Sequence, residues 1–176
     1  MTLLLPTNRV TRDGALASRE LIEVIQRLDR AILFNTVLLQ EDVANTAADT
    51  LADITGLSFK VAAGVRYRFE MFLDYTAAAT TTGARFSVNG PSATRLSYSS
   101  RYALTTTSQT VNEGLTAYNL PAAANATSAA TAGNQAVVSG WVTPSADGTV
   151  IGRFAAEVAA SAVTVKAGSF LRWARV

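Results

Sequence analysis

The chain has 176 residues, 49% of them hydrophobic, a formal net charge of +2, and neither histidine nor cysteine. That composition removes Ser-His-Asp and Cys-His catalysis, the usual ligands of zinc, haem and iron–sulfur centres, and every disulfide. Thirteen of the fifteen basic residues are arginine, scattered without a run of five, so nothing marks the clustered footprint of a nucleic-acid binder.

Residues 1–17 read as an extended arm, because Pro6, Asn8, Asp13 and Gly14 break any regular period. Leu3, Leu4 and Leu5 are the arm's apolar tip and the candidate docking residues. They are too few for a signal peptide, and no stretch approaches the roughly 18 apolar residues of a membrane span. The expectation is a protein made and assembled in a cytoplasm, with no membrane insertion.

Residues 18–34 read as a helix. Ser18 is a fitting N-cap, and Glu20 and Glu23 sit where the helix dipole favours acids. Leu21, Ile25, Leu28 and Ile32 follow a 4-3-4 spacing, which makes a stripe suited to self-association. The same stripe would serve a helix packed on its own domain, since two heptads are short for an autonomous coiled coil. Residues 35–50 read as a connector, so residues 1–50 form an attachment segment and 51–176 the globular domain.

From Leu51 the period changes to two. Leu57, Phe59 and Val61 alternate with polar residues. Val65 to Tyr75 is the strongest strand signal, broken only by Phe72. With Ala62-Ala63-Gly64 as a turn, the two runs read as a hairpin. Ala84–Val88 reads as a strand ending at the Asn89-Gly90-Pro91 turn, and Leu96–Leu104 as a long, bent one. Residues 109–119 give a weaker signal. Val137–Val142 carries Trp141, and Asp147-Gly148 suggests a hairpin from Trp141 to Phe154. Val163–Val165 and Phe170–Val176 close the chain, with Ala167-Gly168 between them. Seven to nine short strands with frequent turns predict a mainly β fold: an antiparallel, jelly-roll-like β-sandwich behind an arm and one short helix. Thr76–Thr82 and Ala122–Gly133 are almost wholly Ala, Thr, Ser, Asn and Gly, and read as exposed loops.

The search for chemistry returns little. No phosphate-cradling glycine loop is present. Ten of the thirteen acids precede residue 76; Glu113, Asp147 and Glu157 are the only acids of the second half. They stand in no recognisable acid/base arrangement, and Asp147 fits a turn. No catalytic residue, metal ligand or cofactor is expected. The Asn125-Ala-Thr sequon means little without a secretory signal. Trp141 and Trp173 fit a core or an interface. Tyr98, Tyr102 and Tyr118 are candidates for exposed binding aromatics, against the alternative that they are core. Unpaired sandwich edges invite association, so closed oligomers of the chain itself are the expected partners.

Several pieces of the chain look like a domain of tailed-bacteriophage virion proteins. They are Ala63-Gly-Val-Arg-Tyr-Arg-Phe-Glu, Thr80-Thr-Thr-Gly-Ala-Arg-Phe-Ser-Val-Asn-Gly-Pro, Asn112-Glu-Gly-Leu-Thr-Ala-Tyr-Asn, Asn125-Ala-Thr-Ser-Ala-Ala-Thr-Ala-Gly-Asn, Gly148-Thr-Val-Ile-Gly-Arg-Phe-Ala-Ala-Glu-Val and Val165-Lys-Ala-Gly-Ser. The arm Leu5-Pro-Thr-Asn-Arg-Val-Thr-Arg-Asp-Gly resembles the N-termini of phage structural proteins. The resemblance implies a non-enzymatic virion component and a homotrimer. Its length suits a minor capsid or head-decoration protein partnered by the major capsid protein or other virion proteins. The other expectation is a tail-tip or fibre module that binds a host surface receptor.

Overall fold

The computed structural model describes residues 34–176. The arm tip Leu3–Leu5 and the helix stripe Leu21, Ile25, Leu28 and Ile32 lie outside the described residues. Eleven strands follow in order: β1 (Asn35–Leu38), β2 (Val43–Asn45), β3 (Ala52–Val61), β4 (Tyr67–Ala77), β5 (Ala84–Asn89), β6 (Ala93–Thr105), β7 (Ser108–Leu115), β8 (Asn134–Pro144), β9 (Gly148–Ala156), β10 (Val163–Val165) and β11 (Phe170–Arg175). The fold is an antiparallel β-sandwich, as the period-two patterning predicts. The domain also takes in residues read from the sequence as a connector. β1 and β2 are too short, at four and three residues, to show an alternation of their own.

The large sheet runs β1-β11-β4-β8-β6-β7, with β10 pairing β2 and β4. β2 and β10 continue the lines of β1 and β11, so eight strands occupy six places. The small sheet is β3-β9-β5. Two expected hairpins are corrected here. β3 and β4 belong to different sheets, and so do β8 and β9. Their turns are real, but the chain crosses the sandwich at each one instead of doubling back in the same sheet. Local turn chemistry sets where a strand ends, not which partner it finds.

The pairings are nested: β3 with β9, β4 with β8, and β6 with β7. Between them, β5 is flanked by the segment 119–125, which bonds at both ends: Asn119 N donates to Val88 O at 3.0 Å and Asn125 N to Ala84 O at 3.0 Å. A long hairpin rolled so that alternate pairs fall in opposite sheets is the jelly-roll arrangement.

The core lies between the sheets. β4 turns Tyr67, Phe69, Met71, Leu73 and Tyr75 inward, where Phe59, Phe86, Phe154 and Leu171 meet them. Each such side chain contributes roughly 1.5–3 kcal/mol by leaving water. Two glycines make room, Gly140 for a neighbouring backbone and Gly152 for side chains of the core. A Cβ at Gly140 would stand 2.3 Å from Ser97 O, and one at Gly152 2.9 Å from Met71 Sδ.

The Ala/Thr/Ser segment expected to be a free loop is bound down at many points. Asn125 Nδ2 donates to Ala103 O and Thr110 Oγ1, both at 3.0 Å, and its Oδ1 accepts from Ala84 N at 2.7 Å. One amide therefore joins the small sheet to the large one. Thr127 Oγ1 donates to Leu104 O at 2.7 Å, and buried Ser128 bonds Thr80 and Thr82. Arg85, itself buried, donates to the carbonyls of Asp49, Pro121 and Ala122. Short polar side chains that read as loop composition serve here as substitutes for strand pairing.

Candidate interaction surface

The outward face of the large sheet is set by the same alternation that fills the core. In β4 the odd-numbered side chains point inward and Arg68, Glu70, Phe72 and Asp74 point outward. Registers extend that face across the sheet. One cross-strand row reads Leu38, Phe170, Phe72, Val137, Arg101, Val111. Leu38 and Val111 at its two ends are each 53% exposed, and Phe72, Val137 and Phe170 are half-buried. A row that is apolar at every position but Arg101, on the solvent side of an antiparallel sheet, departs from the usual polar-out pattern.

A second line of contacts crosses this face. The Arg172 guanidinium lies 5.3 Å from the Phe72 ring centre and 5.1 Å from that of Phe34. Arg68 lies 5.7 Å from Phe34 and 5.9 Å from Trp141. Rings and cations therefore alternate as Phe72, Arg172, Phe34, Arg68, Trp141, each contact contributing about 0.5–1 kcal/mol at an exposed site. Glu70 holds Arg172 in place, accepting from Nε at 2.8 Å and Nη2 at 2.5 Å on the same carboxylate oxygen. Phe72 and Phe170 stack at 4.9 Å. Beside them a groove of about 290 Å³ runs between Asp74, Gln135 and Ser169.

Of the six large apolar side chains that are exposed among the described residues, Phe34, Leu38, Val111 and Trp141 belong to this face. Aromatic residues and arginine with little lysine or glutamate is the composition of an interface centre, and a contiguous apolar patch marks an association surface.

The tyrosines are corrected against their exposed reading. Tyr98 and Tyr102 are 3% and 1% exposed, in the core between the sheets. Tyr98 Oη accepts from Leu120 N at 3.1 Å and donates to Leu120 O at 2.7 Å, anchoring the chain after β7. Burial raises the pKa of Tyr75 to about 12 and pushes those of Tyr98, Tyr102 and Tyr118 upward. Tyr118 is half-buried beside a cleft of about 410 Å³ lined by Ser92, Thr94, Arg95 and Thr116. The two tryptophans separate: Trp173 stacks on Phe59 at 5.1 Å toward the core, while Trp141 is 42% exposed on the outer face.

The late acids do not converge on a shared cleft. Asp147 and Glu157 bracket β9 at opposite ends, about 30 Å apart for an extended strand of that length. Asp147 accepts from Ala63 N at 2.8 Å, a turn role. Asn125 of the sequon has its amide committed inside the fold. Among the described residues no group of three metal-ligating side chains is assembled.

The residues that compose the outer face carry little signal in the sequence. Phe72 was the available signal, since it is the one large apolar residue at a polar position of the best strand. Arg68, Arg172 and Trp141 gain meaning only once β4, β8 and β11 are set side by side.

No family model and no curated protein matches the chain. Among solved structures it is similar to a chain in the structure of infectious bursal disease virus, Gx strain, at 8% identity and a TM-score of 0.29. The match covers 81% of this chain and spans 39% of the viral one. Likeness at that level carries no functional argument.

Proposed function

We propose that the chain is a non-enzymatic structural component of a tailed-phage virion: a homotrimeric minor capsid or decoration protein held on the head by the major capsid protein or its neighbours. The observation that carries this reading is the outer face of the large sheet. Its alternating rings and arginines, with an apolar row reaching both edges, suit burial against protein. The motif resemblance supplies the virion setting and the trimer, and the absence of histidine and cysteine from the sequence favours a role without catalysis. The protein works in this reading as a rigid part, without a cofactor.

A receptor-binding tail module is the competing assignment. It needs exposed tyrosines and free loops, but Tyr98 and Tyr102 are buried, and the segment Ala122–Gly133 is bound to both sheets.

Immunogold labelling of intact particles, with antibody to residues 51–176, tests the assignment. Gold spread over the head is the expected result. Gold confined to the tail end would overturn it in favour of the receptor-binding module, and release of sugars from host glycans by the purified protein would overturn the non-enzymatic part.

A further inference from the structure

The sandwich has four lateral edges, and three of them are guarded. β1 and β2 form an interrupted line, with Asp42 paired to Lys166 across the gap. β3 is broken by a register shift between Asp53 and Ser58, with Gly56 at φ 103° and exposed Lys60 further along. β5 is covered by residues 119–125. Interruptions, bulges, charges and cover are the usual protections against edge-to-edge pairing.

β7 is the least protected: its register with β6 shifts at either end but is regular from Gln109 to Asn112, and Glu113 is its one charge. It pairs with β6 on one side, and among the described residues no backbone group of this strand bonds anything on the other. Its sequence, Ser-Gln-Thr-Val-Asn-Glu-Gly-Leu, contains no lysine, arginine or proline. An irregularity at Glu113 and Gly114, the latter at φ 64°, ends the regular stretch. The apolar row of the outer face also terminates on this strand, at exposed Val111.

We propose that β7 is a self-association edge, and that its occupant is β7 of a second copy of this chain, paired antiparallel about a two-fold axis at Val111. An isologous contact requires a self-complementary strand, and this one is. Centring on Val111 sets Val111 against the partner's Val111, so two exposed apolar side chains cover each other at the junction of the sheets. The same register sets Glu113 against the partner's Gln109, an amide able to donate to the carboxylate. No carboxylate then faces a carboxylate, which would oppose the pairing. Two large sheets join into one continuous sheet. A two-fold pairing closes after two copies, so in a trimeric particle component it links one trimer to the next.

The test uses the full-length chain, whose lack of cysteine makes every introduced thiol unique. Directly opposed residues of antiparallel strands stand about 4.5–5.5 Å apart at Cα, within disulfide reach. Val111→Cys should give a covalent dimer under mild oxidation on a non-reducing gel, while Lys60→Cys on the guarded β3 edge should not. Gln109→Cys mixed with Glu113→Cys should give the mixed dimer in excess of either variant alone, because 109 meets 113 and not itself. Val111→Lys should weaken association at least tenfold by analytical ultracentrifugation, with an unchanged thermal midpoint showing that the fold is kept. Equal cross-linking of Val111→Cys and Lys60→Cys would overturn the proposal, as would unaltered association of Val111→Lys. These readouts do not depend on where gold falls on a particle, so either idea can fail without the other.

Discussion

The two faces of β4 share one backbone and do different work. Inward, Tyr67, Phe69, Met71, Leu73 and Tyr75 are at most 3% exposed. Outward, Arg68 meets the Phe34 ring, and Glu70 and Phe72 both meet Arg172, leaving apolar area open. The difference teaches that the parity of a residue along a strand separates side chains that hold the subunit together from side chains that leave apolar area open to solvent. Phe69→Ala tests the inner half of that statement and has the largest expected effect. Phe69 is fully buried and faces the Phe59 ring at 6.3 Å. Chemical denaturation should show a loss of about 3–5 kcal/mol, the range for a truncated core aromatic. A loss below 1 kcal/mol would break the comparison, because it would mean the inner face repacks freely.

A pH titration sharpens the same contrast without a mutation. Tyr75 lies in the core, and burial raises its pKa to about 12 from an ordinary value of 10. The unfolded chain therefore releases this proton first. Stability from the neutral phenol is fully present below pH 10, falls as pH rises from 10 to 12, and is gone above. Two pKa units correspond to about 2–3 kcal/mol. Tyr98 and Tyr102 shift in the same direction by burial and steepen the loss. Denaturation midpoints measured from pH 8 to 12 should fall across that window, and Tyr75→Phe should lessen the fall. A flat profile would place the phenols in contact with water.

Much of the inner face was legible in the sequence, and almost none of the outer one. The alternation from Val65 to Tyr75 marks β4 because burial on one side selects apolar residues at every second position. Turn residues mark strand ends at Ala62-Ala63-Gly64 and Asp147-Gly148 correctly, yet give the wrong partners, because pairing in a rolled hairpin is settled by contacts tens of residues away. β1 and β2 were invisible for want of length. The segment from Ala122 to Gly133 misled for a chemical reason: Asn125, Thr127 and Ser128 have the composition of a loop, but their side chains complete hydrogen bonds that a strand would otherwise make. The tyrosines misled because Tyr98 and Tyr102 alternate with serine and arginine in β6, and composition does not say which side of a strand is wet.

The smallest expected effect is the most discriminating, because it compares neighbours. Phe72 and Met71 are adjacent in β4 and point to opposite faces. Met71→Ala empties a fully buried site against Gly152 and Ile54 and should cost about 2–5 kcal/mol. Phe72→Ser removes a larger ring, but one that is half-exposed and held only by Phe170 and Arg172. Its cost in the isolated subunit should be about 1 kcal/mol, half or less of a full burial term. The order of the two costs therefore runs against the order of side-chain size. Equal costs, measured in dilute solution where copies are apart, would show that the outer ring cluster is part of the subunit's own core. A small cost accompanied by lost attachment to particles would identify the same ring as one whose contacts are completed by another chain.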